Sequence, residues 1–160
     1  MKKVLKNLLG MTMIEIMLIV VIIGVLAGLS LPMFGRYAKN NRVKSDARAL
    51  ISAARLARSI AVSDIKTAGV SIVLDSMKCV VFEDKNGNGI LDTADVWRSQ
   101  DKLSDDIIFW SVTFPHNTLI FYRDGSSNGG RVKLGTEDRL VAFELSVLAS
   151  TGRVELRQIK

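Results

Sequence analysis

The chain changes its hydrophobic period twice. From Ile16 to Gly35 no charged residue occurs. That run of about 20 residues makes ~30 Å of helix, enough to cross the apolar part of a bilayer. Beyond it, "RYAKNNRVKSDARALISAARLARSIAVSD" places apolar side chains at Val43, Ala47, Leu50, Ile51, Ala54, Ala57 and Ala61. This is a helical stripe that predicts one face packed on a sheet. Pro32 lies between the two stretches and predicts a kink, because proline lacks an N–H and clashes with the preceding turn. Arg36, Lys39, Arg42, Lys44 and Arg48 fall beside the stripe and read as a solvated face.

After Asp64 the period shortens to that of strands. "GVSIVL", "KCVVFED", "VWRSQ", "DIIFWSVTF", "TLIFYRD", "GRVKLG", "RLVAFELSVL" and "GRVELRQI" are rich in β-branched and aromatic residues. Gly, Asn, Asp and Ser separate them, as in hairpins. The expected fold is α+β: a long, kinked N-terminal helix, transmembrane in its first half, packed on an antiparallel sheet. The expected division is a leader at 1–10, a transmembrane half at 11–35, an amphipathic half at 36–64 and a β-rich periplasmic domain at 65–160.

Charge refines the N-terminal end. The net charge is +6, and Lys2, Lys3 and Lys6 precede the apolar run, which places that end in the cytoplasm. Removal of these lysines with the leader would halve the excess, so the basic balance says little about nucleic acid. A plain signal anchor and a cleaved secretory peptide also fit the run, although no small-x-small cleavage site follows it. A lipoprotein is excluded, since no cysteine directly follows the run. None of these accounts for Glu15, a carboxylate at the edge of the apolar stretch that costs a few kcal/mol to bury in lipid, on the order expected of a functional group. Cleavage between Gly10 and Met11 would create an amine one helical turn from Glu15. In a bundle of parallel helices, Glu15 could then pair with the Met11 amine of a neighbour. Such a pair offsets desolvation only when both charges are present.

The stretch "GMTMIEI", a basic leader ending in Gly10, and the apolar run resemble the class III signal of type IV pilins and type II secretion pseudopilins. Met11 stands where phenylalanine is usual and Met13 where leucine is usual. Further on, "ALISAARLARSIAV", "VVFEDKNGNGILDTADVWR", "FYRDGSSNGGRVKL" and "LSVLASTGRVELR" resemble the GspH/FimT family. The resemblance implies cleavage after Gly10 and N-methylation of Met11 by a prepilin peptidase. It implies assembly with other pilins or pseudopilins through the N-terminal helix. The function implied is that of a minor pilin in the tip or priming complex of a type IV pilus, with pseudopilin H of type II secretion as the alternative and a tip-presented DNA- or Ca²⁺-binding module as the alternative of another class. The place implied is the inner membrane, with the domain in the periplasm, and then a filament tip.

Three further constellations carry chemistry. In "DKNGNGILDTAD", Asp84, Asn86, Asn88, Asp92 and Asp95 and the carbonyl of Ile90 fall at the Ca²⁺-ligand positions of an EF-hand-like loop, with Gly89 at the sharp turn. Asp95 stands where a longer glutamate is usual. The other reading is a metal-free hairpin turn, for which "NGNG" supplies positive φ. The C-terminal "GRVELR" offers Arg153 and Arg157, with Arg131 and Lys133 and the terminal Lys160 beside them, as cations for nucleic acid. Glu155 opposes phosphate there, so DNA is not expected as a partner. Finally, His116 is the only histidine and Cys79 the only cysteine. Neither has a partner in sequence for nucleophilic work, and no phosphate loop is present; no enzyme is expected.

Overall fold

The computed structural model describes residues 11–159. The leader, Gly10 and Lys160 lie outside the described residues. The structure divides after Ala38 into two compact units. Helix α1, Met13–Ser63, contributes to both and is one continuous α-helix through position 32. The side chain of Pro32 lies outside the described residues.

In the first unit, the side chains from 13 to 28 are all exposed. Except for Glu15 they are apolar or glycine. Met13, for example, is 82% accessible. Among the described residues no helix is long and apolar enough to cross a membrane.

In the second unit, the rest of α1 packs as its stripe predicts. Val43, Ala47, Leu50, Ala54, Ala57 and Ala61 are buried, Ala53 joins them, and Ile51 is partly buried. Ala54, Ala57 and Ala61 recur at three- and four-residue spacing, so this part of the stripe is a ridge of small side chains.

All eight strand segments form. They are β1 Thr67–Val73, β2 Lys78–Asp84, β3 Val96–Lys102, β4 Ile107–Val112, β5 Thr118–Phe121, β6 Gly130–Thr136, β7 Ala142–Val147 and β8 Val154–Gln158. They make two four-stranded antiparallel sheets rather than one, ordered β3-β2-β1-β5 and β4-β6-β7-β8. The chain changes sheet between β3 and β4, between β5 and β6, and between β4 and β5. There a 3₁₀ turn, Pro115–Asn117, holds His116 and Asn117 at positive φ. β5 therefore returns to β1 instead of pairing with β4.

Both sheets contribute to one core with the helix. Val70, Ile72, Cys79, Val81, Leu119 and Phe121 come from the first sheet, and Ile107, Val132, Leu134, Phe143 and Leu145 from the second. β2 is buried at nearly every position. Its side chains alternate between the helix-side core and the opposite face, where Val80 and Phe82 are buried as well.

Candidate functional site

The N-terminal signal forms a helix cap. Thr12 immediately precedes α1, and its Oγ1 accepts a hydrogen bond from the Glu15 N–H at 3.3 Å. Thr12 and Glu15 hold the first and fourth positions of a Thr-x-x-Glu capping box, and the carboxylate lies in the first turn, where the helix dipole favours negative charge. This capping role was readable in "TMIE" and adds to the assembly role expected of Glu15. Met11 and Glu15 are both exposed within the chain. Gly10, the other half of the processing signal, lies outside the described residues.

The loop joining β2 to β3 brings Asp84, Asn86, Asn88, Ile90, Asp92 and Asp95 together as the spacing predicts, but they bind one another and the loop backbone. Asp84 accepts from the Gly87 and Gly89 N–H groups at 2.7 and 2.9 Å. Asp95 accepts from the Lys85 and Asp92 N–H groups at 3.1 and 2.9 Å. Asn86 and Asn88 turn their Nδ2 donors toward Asp92 Oδ2, at 2.7 and 2.8 Å. Their Oδ1 atoms accept from the Asn88 and Ile90 N–H groups. Ca²⁺ needs oxygen ligands facing a common centre. Two amide N–H₂ groups aimed at a carboxylate do not fit that need. Among the described residues no group of three or more His, Cys, Asp or Glu is arranged to hold a metal ion. The bond donated by the Ala94 N–H, then those from Asn86 and Asn88, hold the Asp92 carboxyl below its ordinary range.

The loop has a packing role as well. Gly89, at φ +72°, lies where a Cβ would be 3.7 Å from Ile120 Cγ1 on β5. The turn thus reaches over the outer face of the first sheet toward its far edge. The base of the loop is pinned by Glu83. This buried carboxylate accepts from Lys66 Nζ at 3.2 Å and is paired closely with Arg98.

At the C-terminal end, residues of "GRVELR" have structural partners. Arg153 Nε lies 2.9 Å from Glu155 Oε1, so the acid that was expected to repel phosphate also neutralises its neighbour. Lys133 is likewise paired with Glu144. Arg131, Glu155 and Arg157 line an open groove of about 720 Å³ on the outer side of β6, β7 and β8. Gly152 has a backbone reason: at φ +58°, a Cβ would meet the Gly125 carbonyl oxygen at 2.2 Å. Arg58 clamps the same corner from α1, donating to the Thr151 and Gly125 carbonyl oxygens at 3.0 and 3.4 Å. No local pattern marks Arg58 for this task, because its partners lie 93 and 67 residues away.

Cys79 faces the core on β2, and its Sγ donates weakly to the Asp101 carbonyl oxygen at 3.7 Å. Burial first, then the charge of Asp101, pushes its thiol up to about 11. A thiol of that kind is not a nucleophile near neutral pH. His116 is exposed in the 3₁₀ turn.

Compared with curated protein sequences, the chain matches none. Among solved structures it is similar to the minor pseudopilin EpsH of the type 2 secretion system of Vibrio cholerae. The two share 13% identity with a TM-score of 0.56, over 73% of this chain and 97% of that one. It is also similar to the type IV minor pilin FimU of Pseudomonas aeruginosa, with 16% identity and a TM-score of 0.59, over 76% of this chain and 92% of that one. These likenesses establish the pilin-like arrangement of helix and antiparallel strands. The model of the type II transport protein GspH family matches residues 46–151, from the core-facing half of α1 to the clamped turn before β8, and the chain belongs to that family.

Proposed function

We propose that this chain is a minor subunit of a type IV pilus, a structural protein without catalysis that joins the tip or priming complex. The carrying observation is one juxtaposition. A GspH-family domain follows a helix whose described side chains from 13 to 28 are exposed and apolar apart from Glu15. A helix face of that kind needs a covering of lipid or of other helices.

In this reading a prepilin peptidase removes residues 1–10 and methylates the Met11 amine, and residues 11–35 lie in the inner membrane until assembly. Withdrawal of Glu15 into a helix bundle is costly unless it meets a positive charge. The Met11 amine of a neighbour supplies that charge, and the pair sets the axial register between subunits.

Mass spectrometry of the mature N-terminal peptide, from cells with and without the peptidase, tests the processing step. We expect N-methylated Met11 at the start, and loss of that peptide without the enzyme. An intact Met1 leader in both strains would sink the reading. Glu15→Ala should leave membrane insertion intact and reduce filament incorporation at least tenfold; unchanged incorporation would remove the register role.

The family's description favours a second reading, pseudopilin H of type II secretion. Deletion separates the two. Lost twitching with normal exoprotein release supports the pilus, and the reverse supports the secretion system.

A further inference from the structure

Asparagine followed by glycine occurs three times, at Asn86, Asn88 and Asn128. A following glycine leaves the next peptide nitrogen unhindered, so that nitrogen can approach the side-chain amide carbon. The fold gives the three pairs different surroundings. At Asn86, the Gly87 N–H donates to Asp84 Oδ1 at 2.7 Å, and the asparagine Oδ1 accepts from the Asn88 N–H at 3.1 Å. The pattern repeats at Asn88. There the Gly89 N–H donates to Asp84 Oδ2 at 2.9 Å, and the asparagine Oδ1 accepts from the Ile90 N–H at 2.8 Å. Asn86 and Asn88 are exposed to water, whereas Asp84 is buried beneath them.

Each arrangement holds the parts for ring closure. The single carboxylate of Asp84 can accept the proton of either glycine nitrogen, because it lies within the reach of a general base. A backbone N–H points at the oxygen on which negative charge develops when the amide carbon is attacked. Asn128 lacks the carboxylate. Its Oδ1 accepts from the Ile120 N–H and its Nδ2 donates to the Thr118 carbonyl oxygen, so the side chain is tied to β5. The Gly129 N–H donates to the Ser127 hydroxyl, which is no base near neutral pH, and Gly129 is buried.

We propose that Asn86 and Asn88 are sites of self-modification, converted by groups of their own loop to aspartate and isoaspartate, and that Asn128 is not. The glycine nitrogen bonds to the asparagine Cγ as its proton passes to Asp84. The Cγ–Nδ2 bond then breaks, and the proton returns from Asp84 through water to the departing nitrogen, which leaves as ammonia. Water opens the resulting succinimide ring at either carbonyl. Breaking the bond from the former Cγ to nitrogen gives aspartate, and breaking the bond from the backbone carbonyl to nitrogen gives isoaspartate. Nothing is oxidised or reduced. Either product replaces an N–H₂ donor to Asp92 with a carboxylate. Like charges then meet where hydrogen bonds were, and the loop is released.

The test holds the full chain in detergent at neutral pH over weeks. Peptide masses and fragmentation then report aspartate and isoaspartate at each of the three positions. Parallel samples are the same chain in denaturant and the variant Asp84→Asn, with its fold checked by circular dichroism. We expect conversion at Asn86 and Asn88 with both products present, and Asn128 intact. We expect Asp84→Asn to slow conversion by at least about tenfold, a conservative figure for loss of a positioned base. If Asp84 only restrained the loop, its loss would speed conversion, and that result overturns the proposal. Equal conversion at all three positions, or faster conversion in denaturant, also overturns it, because the Asn-Gly pairing alone would then account for the chemistry. So does a native chain that stays unmodified. Trypsin should cut after Lys85, which is exposed in this loop, at least about fivefold faster in Asn86→Asp/Asn88→Asp than in the parent. An unchanged rate of cutting would sink the release of the loop.

Discussion

Asp92 is half-buried, and its carboxyl lies below the ordinary range because the Ala94 N–H and the amides of Asn86 and Asn88 bind its charged form. A depressed carboxylate stabilises its surroundings at pH values above the ordinary aspartate range, and that contribution disappears as pH falls through the lower folded value. We therefore expect the amide signals of Asn86, Asn88 and Ala94 to move together, in acid below the usual carboxylate titration. A titration of those signals at the usual carboxylate pH would show the network to be open. Calorimetry on the full chain in detergent should give no saturable heat with millimolar Ca²⁺. Saturable heat would mean that both asparagine amides rotate, presenting Oδ1 beside Asp92. The spacing that marked these residues was informative about their proximity. Their donor directions were not legible, since an asparagine offers an oxygen or an N–H₂ group according to its neighbours.

At the scale of elements, α1 shows how much a period can determine. Each stripe position read from the sequence is buried or partly buried, because the helical repeat alone sets which side chains share a face. Ala53 was missed because it sits at the margin of the stripe. The choice of alanine matters as much as its position. Ala57 is fully inaccessible within the common core. Ala57→Leu would have to push apart close-packed neighbours, at a cost of about 1–3 kcal/mol. For a chain of this size each kcal/mol corresponds to a Tm lower by roughly 2–4 °C. Thermal unfolding of the full chain should show that decrease, and an unchanged Tm would mean that the ridge does not contact the sheets closely. The strands were equally legible as segments. Their assignment to two sheets was not, because antiparallel pairing depends on where a connection turns back. The chain passes between the sheets from β3 to β4, from β4 to β5 and from β5 to β6, and the turn at Pro115–Asn117, two of its residues at positive φ, makes the second of these crossings.

At the scale of the whole second unit, Cys79 reports on integrity. It is buried in the core that the helix and both sheets share. Its thiol is pushed up to about 11, chiefly by desolvation. In the unfolded chain it ionises near 8.5. Between those two values the unfolded state loses its proton first, so stability falls with rising pH across this window. A thiol reagent at pH 8 should modify Cys79 only as fast as the unit opens, with the rate increasing steeply in denaturant. Rapid modification of the native chain would show that the two sheets separate locally around β2.

The sequence by itself determined the α1 stripe, the eight strand segments and the resemblance that leads to a pilin-like subunit. All of these rest on short-range spacing or on patterns continuous in the chain. The tertiary structure alone decided the split into two sheets, the clamp of Arg58 on Thr151 and Gly125, the pairing of Arg153 with Glu155, and the self-bonded state of the loop. It also decided which cations of α1 find carboxylates and which remain available. Lys39 and Arg42 differ from Lys44, Arg48 and Arg55 only in whether the fold brings a distant aspartate within reach. Charge alone does not specify a contact; position in three dimensions does, since ion pairs act over a few ångströms in water.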